Sequence, residues 1–292
     1  MTLGRGLLIS LRPAQWVKNL LVFAALVFGH QAGDLAAVTL AGAAFLVFCA
    51  AASGVYLLND IRDRASDQLH PLKRNRPIAA GIVSIPVAGA VAIKLMAAAL
   101  VGAFFLDSMF FYAVLAFVVL QIGYSFGLKR IVIIDVFCVA LGFVLRAVAG
   151  AYAISVEISP WLLVCSLTLA LFLALSKRRH EVVLLEDRAE DHRASLSHYT
   201  PYFLDQLIAV VTAATVMGYA LYTLAPATVA KFGTHNLVFT LPFVIYGVFR
   251  YLYLVHQKQG GDNPTRVFLT DPALLLNTAL WLAASAWIVY SR

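Results

Sequence analysis

Residues 35–67 read LAAVTLAGAAFLVFCAAASGVYLLNDIRDRASD, and the change of character within this stretch decides the fold. Residues 35–58 carry no charge. They exceed the roughly 20 apolar residues needed to cross a hydrocarbon core of about 30 Å. Six of the nine residues that follow, Asn59 to Asp67, are then charged or amide-bearing: Asn59, Asp60, Arg62, Asp63, Arg64 and Asp67. The stretch reads as a membrane-spanning helix that runs into a polar, acidic rim.

The rest of the chain agrees. Its 292 residues are 62% hydrophobic and 13% charged, and the mean hydropathy is +0.85. Soluble domains carry about 45–50% apolar and about 25% charged residues, so a water-soluble fold, a disordered chain and a coiled coil are excluded. Nine spans are expected, at 15–30, 35–58, 84–106, 108–127, 131–153, 160–176, 201–225, 236–255 and 271–290. Asp34, Ser84, Ser159, Thr200 and Asp271 are N-cap residue types, and Pro160, Pro201 and Pro272 suit a first helical position. The expected fold class is an all-α integral membrane protein in a single domain, 1–292.

The net charge of +7 is unevenly placed. Arg5, Arg12 and Lys18, then Arg62 to Arg76, then Lys129 and Arg130, then Lys177 to Arg193, then Lys258 and Arg266 fall in one alternate set of loops; Lys231 and Arg292 fall in the other. Cytoplasmic loops concentrate Lys and Arg. The expectation is therefore a multi-pass protein of the cytoplasmic (inner) membrane, with its N-terminus inside and its C-terminus on the opposite side. This bias also accounts for the basic charge without nucleic acid. Residues 1–19 read as a basic amphipathic segment along the inner face, not a secretory signal. Cys49, Cys138 and Cys165 show no paired spacing and read as reduced packing residues. Gly42, Gly89, Gly142 and Gly150 read as points of close helix packing. The two long connections, 59–83 and 177–200, follow spans 2 and 6 and hint at two four-helix halves.

If the second span continues as a helix, Asn59, Asp60, Asp63 and Asp67 point to one side. Stacked carboxylates repel, and a divalent cation relieves the repulsion. Mg²⁺ takes hard oxygen ligands and keeps substrate phosphates in its shell. The pattern thus suits a Mg²⁺–diphosphate site, and it equally suits a solvated helix end with Arg62 and Arg64 as partners. The stretch His70-Pro71-Leu72-Lys73-Arg74-Asn75-Arg76-Pro77-Ile78 then adds cations beside the acids.

NDxxDxxxD followed by HPxKxxRPIAxG, here 59–67 and 70–81, resembles the first motif of the UbiA superfamily of intramembrane prenyltransferases. The resemblance implies a nine-helix bundle around a central cavity that opens to the cytoplasm and sideways to lipid. Members that prenylate aromatic rings carry a second aspartate-rich motif after span 6. This chain instead reads Leu175-Ser176-Lys177-Arg178-Arg179-His180-Glu181, with cations where carboxylates are expected. Those cations fit phosphate oxygens, Arg in a bidentate grip, and they also fit the inside-positive bias of the loops. Together with Arg12-Pro13-Ala14-Gln15-Trp16-Val17-Lys18-Asn19 and Tyr124-Ser125-Phe126-Gly127-Leu128-Lys129, the cationic stretch resembles the branch of the superfamily that moves a phosphoribosyl group onto a decaprenyl-type polyprenyl phosphate.

That resemblance implies two substrates, soluble 5-phosphoribosyl 1-diphosphate and a polyprenyl phosphate drawn from the lipid bilayer, with Mg²⁺ as cofactor. Asn59, Asp60, Asp63 and Asp67 would hold the metal, with Asp60, Asp63 and Asp67 serving catalysis. Lys18, Lys73, Arg76, Tyr124, Lys129, Lys177, Arg178 and Glu181 would bind substrate, with Arg12 a further phosphate ligand. An anionic acceptor needs no strong general base, which suits a chain with no Ser–His or Cys–His pair. Asp135 and Arg146 lie on one face of span 5, Asp135 near Lys129 or the donor and Arg146 as a counterion or beside the lipid-phosphate path. His70 shapes its loop. The sequence leaves room for a homo-oligomer. The alternatives are an aromatic-ring prenyltransferase on the same scaffold and a non-enzymatic lipid or solute carrier. A carrier places its key charges near the bilayer midplane, whereas the densest polar cluster here lies at a span end.

Overall fold

The computed structural model describes residues 1–29, 31–71, 73–185, 198–257 and 264–291. Its regular secondary structure among these residues is all helical, and it divides into two compact units, Met1–Ile158 and Ser159–Arg292. Seven segments among the described residues are long and apolar enough to cross a membrane: Leu35–Arg62, Ile85–Leu106, Ser108–Phe126, Ile134–Ala153, Pro201–Leu224, Asn236–Gln257 and Pro272–Tyr290. The chain is a multi-pass membrane protein. Large apolar side chains such as Phe105 and Trp287 lie exposed on these helices, as they do where lipid is the solvent.

The first unit opens with α1 (Leu3–Leu11), a 3₁₀ segment (Pro13–Phe23) and α2 (Ala24–Phe28). It continues with α3 (Leu35–Arg62), α4 (Arg64–Leu69), α5 (Ile85–Leu106), α6 (Ser108–Phe126) and α7 (Ile134–Ala153). The second unit holds α8 (Pro160–Leu185), α9 (Pro201–Leu224), α10 (Pro226–Phe232), α11 (Leu241–Gln257), α12 (Pro264–Thr270) and α13 (Pro272–Tyr290). Each unit thus contains four long helices, the division at which the two charged loops hint.

The helix ends follow from local chemistry. Asp34 accepts from the Ala36 N–H, Thr200 from Phe203 and Asp271 from Leu274, so three of the expected caps form. Ser84 makes no such bond at the start of α5, whereas Asp107 caps α6 through the Phe110 N–H. Asp271 also accepts from Arg250, and that bond holds its carboxyl below the usual range.

The expected span at 15–30 departs from a regular α-helix. Residues 13–23 wind as a 3₁₀ helix of 11 residues, followed by 5 residues of α-helix. At about 2.0 and 1.5 Å per residue the two pieces still extend roughly 30 Å. Tertiary bonds hold the tighter winding. Trp16 Nε1 donates to Ser53 Oγ, Asn19 Nδ2 donates to Cys49 Sγ, and Arg146 Nε donates to Asn19 Oδ1 at 2.7 Å. A Cβ on Gly150 would stand 2.0 Å from the Val22 carbonyl oxygen, so only glycine lets α7 lie against this segment.

Around it, Val22, Phe48, Phe110, Phe117 and Ala149 form the buried core of the unit. Close packing of α3 on α5 falls at Gly54, where a Cβ would meet the Ala92 carbonyl oxygen at 2.9 Å. Gly42 and Gly89, expected at close contacts, face open space, whereas Gly142 and Gly150 do mark close approaches.

Candidate functional site

The acidic rim is built by the C-terminal end of α3. The helix ends at Arg62, Asp63 sits at φ −91° and ψ 3°, and α4 begins at Arg64. Backbone bonds bridge the break: the Asp63 N–H donates to the Asn59 carbonyl at 2.9 Å and the Asp67 N–H to the Asp63 carbonyl at 2.8 Å. Helical spacing therefore persists, but the four side chains do not form one stripe. They separate into two pairs, because seven residues (Asp60 to Asp67) make nearly two full turns, whereas three (Asp60 to Asp63) fall about 60° short of one.

Asp60 and Asp67 are both buried. Arg76 Nη1 donates to Asp60 Oδ1 at 3.2 Å and to Asp67 Oδ2 at 2.7 Å, and Arg12 Nη2 donates to Asp60 Oδ1 as well. Asn59 and Asp63 turn toward the end of α6. Ser125 Oγ donates to Asn59 Oδ1 at 3.3 Å, and Lys129 Nζ pairs with Asp63. The partners thus come from distant motifs, not from Arg62 and Arg64. Arg62 instead lies over the Phe126 ring. Like-charge repulsion along the helix end is relieved by three separate cations.

Local backbone explains how those cations arrive. Arg12 adopts φ 55°, an unusual conformation for a residue with a side chain, between the end of α1 and Pro13. This turns its guanidinium onto Asp60 and over the Tyr56 ring at 5.2 Å. In the following loop His70 Nδ1 accepts from the Lys73 N–H, so the histidine does shape the turn. Gly81 has φ +74°, which favours glycine at the last position of the motif. A pocket of about 390 Å³ opens beside Asp60, with Ser10, Arg12, Asn75 and Arg76 in its walls together with Ile9 and Pro77. Lys18, on the 3₁₀ segment, Tyr124, on α6, and Lys73 are half-buried in the same unit.

Deeper in this unit Asp135 is fully buried at the first turn of α7. Arg146 is buried too. Besides Asn19 it donates to the Gly142 carbonyl at 2.6 Å and lies 4.6 Å from the centre of the Phe117 ring. It braces the 3₁₀ segment against α7.

The cationic stretch belongs to the second unit. Lys177 and Arg178 both reach Glu181, at 3.7 Å and 2.5 Å, on the last turns of α8. Arg178 is buried. Ser176 Oγ is buried, with no hydrogen-bond partner found among the described residues. Arg179 takes a different partner: its Nε donates to Asp205 Oδ1 on α9, which also meets His256 Nε2 of α11 at 3.2 Å. Sequence reasoning misses Asp205. The signal for it is a lone carboxylate one turn into an otherwise apolar span. Arg188, His192, Arg193 and Lys258 lie outside the described residues.

Hard oxygen donors at the end of α3 fit Mg²⁺, since Asp60 and Asp67 already converge on one cationic nitrogen atom. Among the described residues no group of three His, Cys, Asp or Glu side chains stands ready as a complete metal cage. A metal that arrives with a diphosphate needs only one or two carboxylates from the protein.

A helical membrane protein with this carboxylate rim and these basic loops matches the sequence profile of the UbiA prenyltransferase family over residues 19–277, a stretch that runs through both units, and the chain belongs to that family. It is 38% identical to the decaprenyl-phosphate phosphoribosyltransferase of Corynebacterium glutamicum over 295 residues, 99% of this chain and 88% of the relative. It is 34% identical to the protein of the same name from Mycolicibacterium smegmatis over 298 residues, 98% of this chain and 92% of the relative. Among solved structures, a UbiA homolog from Archaeoglobus fulgidus bound to GPP and Mg²⁺ superposes with a TM-score of 0.75 at 21% identity, covering 97% of this chain and 99% of the other. That likeness shows the fold.

Proposed function

We propose that this protein transfers the 5-phosphoribosyl group of 5-phosphoribosyl 1-diphosphate to a polyprenyl phosphate and releases diphosphate, in the synthesis of cell-envelope glycan precursors. The observation that carries the reading is the pairing of Asp60, Asp63 and Asp67 with Arg12, Arg76 and Lys129 at one helix end. Such a mixed rim suits a diphosphate that brings a divalent cation. The relatives' shared name supplies the acceptor class.

In the reaction the bond between ribose C1 and the diphosphate oxygen breaks, and its electron pair leaves with the diphosphate. An oxygen of the acceptor phosphate supplies the pair for the new C1–O bond. The acceptor is already anionic, so no proton needs to be removed. Mg²⁺, held by oxygens from Asn59, Asp60, Asp63 and Asp67, would neutralise the charge that grows on the leaving group. Arg76 and Lys129, released from their carboxylates, grip phosphoryl oxygens, with Arg12, Lys18 and Lys73 nearby in the chain. Tyr124 contacts the donor. In the second unit Lys177 and Arg178 take phosphoryl groups, and Glu181 orients them. Positioning and fixed charge supply most of the rate.

The loop charges favour the cytoplasmic membrane with the acidic rim inside, the side on which a soluble donor is found. The nine-helix bundle and its cytoplasm-facing cavity remain part of the proposal, as does a homo-oligomeric state.

The test is a transfer assay with the purified protein in vesicles, Mg²⁺ and ribosyl-labelled donor, offered either polyprenyl phosphate or an aromatic acid. Label in the lipid phosphate is expected. No ribosyl transfer to the lipid phosphate, or label that goes to the aromatic acid instead, overturns the reading.

A further inference from the structure

Ser53 lies on α3, nearly two turns before Asp60, and is buried. Hydroxyls within helices commonly donate to the carbonyl one turn back, as Ser10 does to Gly6, Ser125 to Gln121 and Thr215 to Val211. Ser53 Oγ instead donates to the Leu11 carbonyl at 3.0 Å and accepts from Trp16 Nε1 at 3.0 Å. One hydroxyl thus ties down both sides of the turn that carries Arg12. That turn needs holding. Arg12 has φ 55° and ψ 58° and precedes Pro13. The left-handed region is disfavoured for a residue with a side chain, and a following proline favours extended backbone instead. Such a conformation persists where its surroundings fix it.

We propose that Ser53 is a positioning residue for the transfer: oriented by Trp16, it fixes the Arg12 turn so that the guanidinium stands in the wall of the pocket beside Asp60. This rests on the phosphoribosyl-transfer reading, with Arg12 as a phosphate ligand. Cys49, Ser53, Tyr56 and Asp60 recur at steps of four, three and four, on one face of α3. The amino-terminal segment follows this face. Asn19 bonds Cys49, Trp16 bonds Ser53, and Arg12 reaches the Tyr56 ring and Asp60. Three residues of 3₁₀ helix rise as far as four of α-helix, about 6 Å, so Asn19 and Trp16 meet their partners in step. The 3₁₀ segment begins at Pro13, and before it the Leu11 carbonyl is held to α3 by Ser53. The tie matters most once donor and metal bind. Asp60 then turns to the metal and no longer holds Arg12. Without Ser53, Arg12 relaxes toward the extended backbone that its proline favours, and its guanidinium leaves the pocket wall.

The test compares Ser53→Ala, Arg12→Ala and the double variant. The KM for the ribosyl donor is expected to rise about tenfold in Arg12→Ala, the scale of one hydrogen bond to a charged group. It should rise about three- to tenfold in Ser53→Ala, with kcat and the acceptor KM changed less than about threefold, as for a contact equal in ground and transition states. The double variant should stay within about twofold of Arg12→Ala, because the hydroxyl acts through the guanidinium. Trp16→Phe, which loses the N–H that orients the hydroxyl, gives the same comparison by a second route. Thr215→Ala, which removes another buried hydroxyl bonded to a carbonyl, should leave the donor KM unmoved. A donor KM unchanged in Ser53→Ala or Arg12→Ala, effects that multiply in the double variant, or an equal rise in Thr215→Ala overturns the assignment. Calorimetric titration of the donor with Mg²⁺ repeats the comparison without turnover. A failure of the Ser53 role shows as unchanged donor affinity in variants of a protein that transfers ribose, whereas a failure of the reaction shows as no ribosyl transfer by the unaltered protein.

Discussion

Asp60 and Asp67 accept hydrogen bonds from the same nitrogen atom, Nη1 of Arg76, at 3.2 Å and 2.7 Å. Two buried carboxylates seven residues apart thus share one positive charge, and Asp60 draws on a second from Arg12. A diphosphate with its metal would exchange partners here, carboxylates to metal and guanidinium to phosphate. The rim is neutralised before substrate arrives and keeps its charges matched afterwards.

That sharing separates the two aspartates. Asp67→Asn and Asp60→Asn should each lower transfer by roughly 10²-fold or more, the scale for losing one group that stabilises the transition state. Their effects on stability should differ. Asp67→Asn leaves Arg76 paired with Asp60, whereas Asp60→Asn removes the partner of Arg12 and half the pairing of Arg76. The melting temperature in detergent should fall further for Asp60→Asn. Full activity in either variant would remove the carboxylates from the mechanism.

Removal of divalent cations should abolish transfer and weaken donor binding, and Mg²⁺ should restore both. Titration of the donor by calorimetry, with chelator and then with added Mg²⁺, checks this. Donor binding that is indifferent to chelation would show that the carboxylates act only as ion-pair partners.

In the second unit Arg178 is buried and bonded to Glu181. Arg178→Ala should raise the KM for the donor about tenfold, a loss of about 1.4 kcal/mol. Arg178→Lys should recover only part, because a point charge cannot make the bidentate contact. An unchanged KM in both variants would leave the cations with a role in membrane topology alone.

Arg146 should act through structure. Arg146→Lys loses the Nε bond to Asn19 and the fork that reaches Gly142, at a cost of about 1–3 kcal/mol. Because the two side chains bond directly, Asn19→Ala and Arg146→Lys should be non-additive by roughly 0.5–3 kcal/mol. Denaturation of the single and double variants in detergent measures the coupling, and additive effects would refute it.

Much of this was legible in the amino-acid order because a bilayer imposes a coarse requirement. Apolar runs long enough to cross announce α3, α5, α6, α7, α9 and α13, and Asp34, Thr200 and Asp271 announce where helices begin. The winding of residues 13–23 was not legible. Hydropathy does not distinguish 3₁₀ from α, and the bonds that hold the tighter form come from Ser53, Cys49 and Arg146, far away in sequence. At the site the acids and bases could be named, but not which pairs they form. Arg12 reaches Asp60 across 48 positions and Lys129 reaches Asp63 across 66. Asp205 stayed hidden for the opposite reason: a single acid near a helix start looks like ordinary end chemistry until its two basic partners are seen.

The 3₁₀ winding has a further consequence. With three residues per turn, every third side chain returns to the same bearing, so Trp16, Asn19 and Val22 lie on one straight edge. An α-helix would swing that edge through about 120° between Trp16 and Val22. The segment therefore works as a ruler graduated in threes. One residue added or deleted between Trp16 and Asn19 would leave its oiliness and length almost untouched, yet would throw the amide out of line with its guanidinium and carry the slip on toward Arg12.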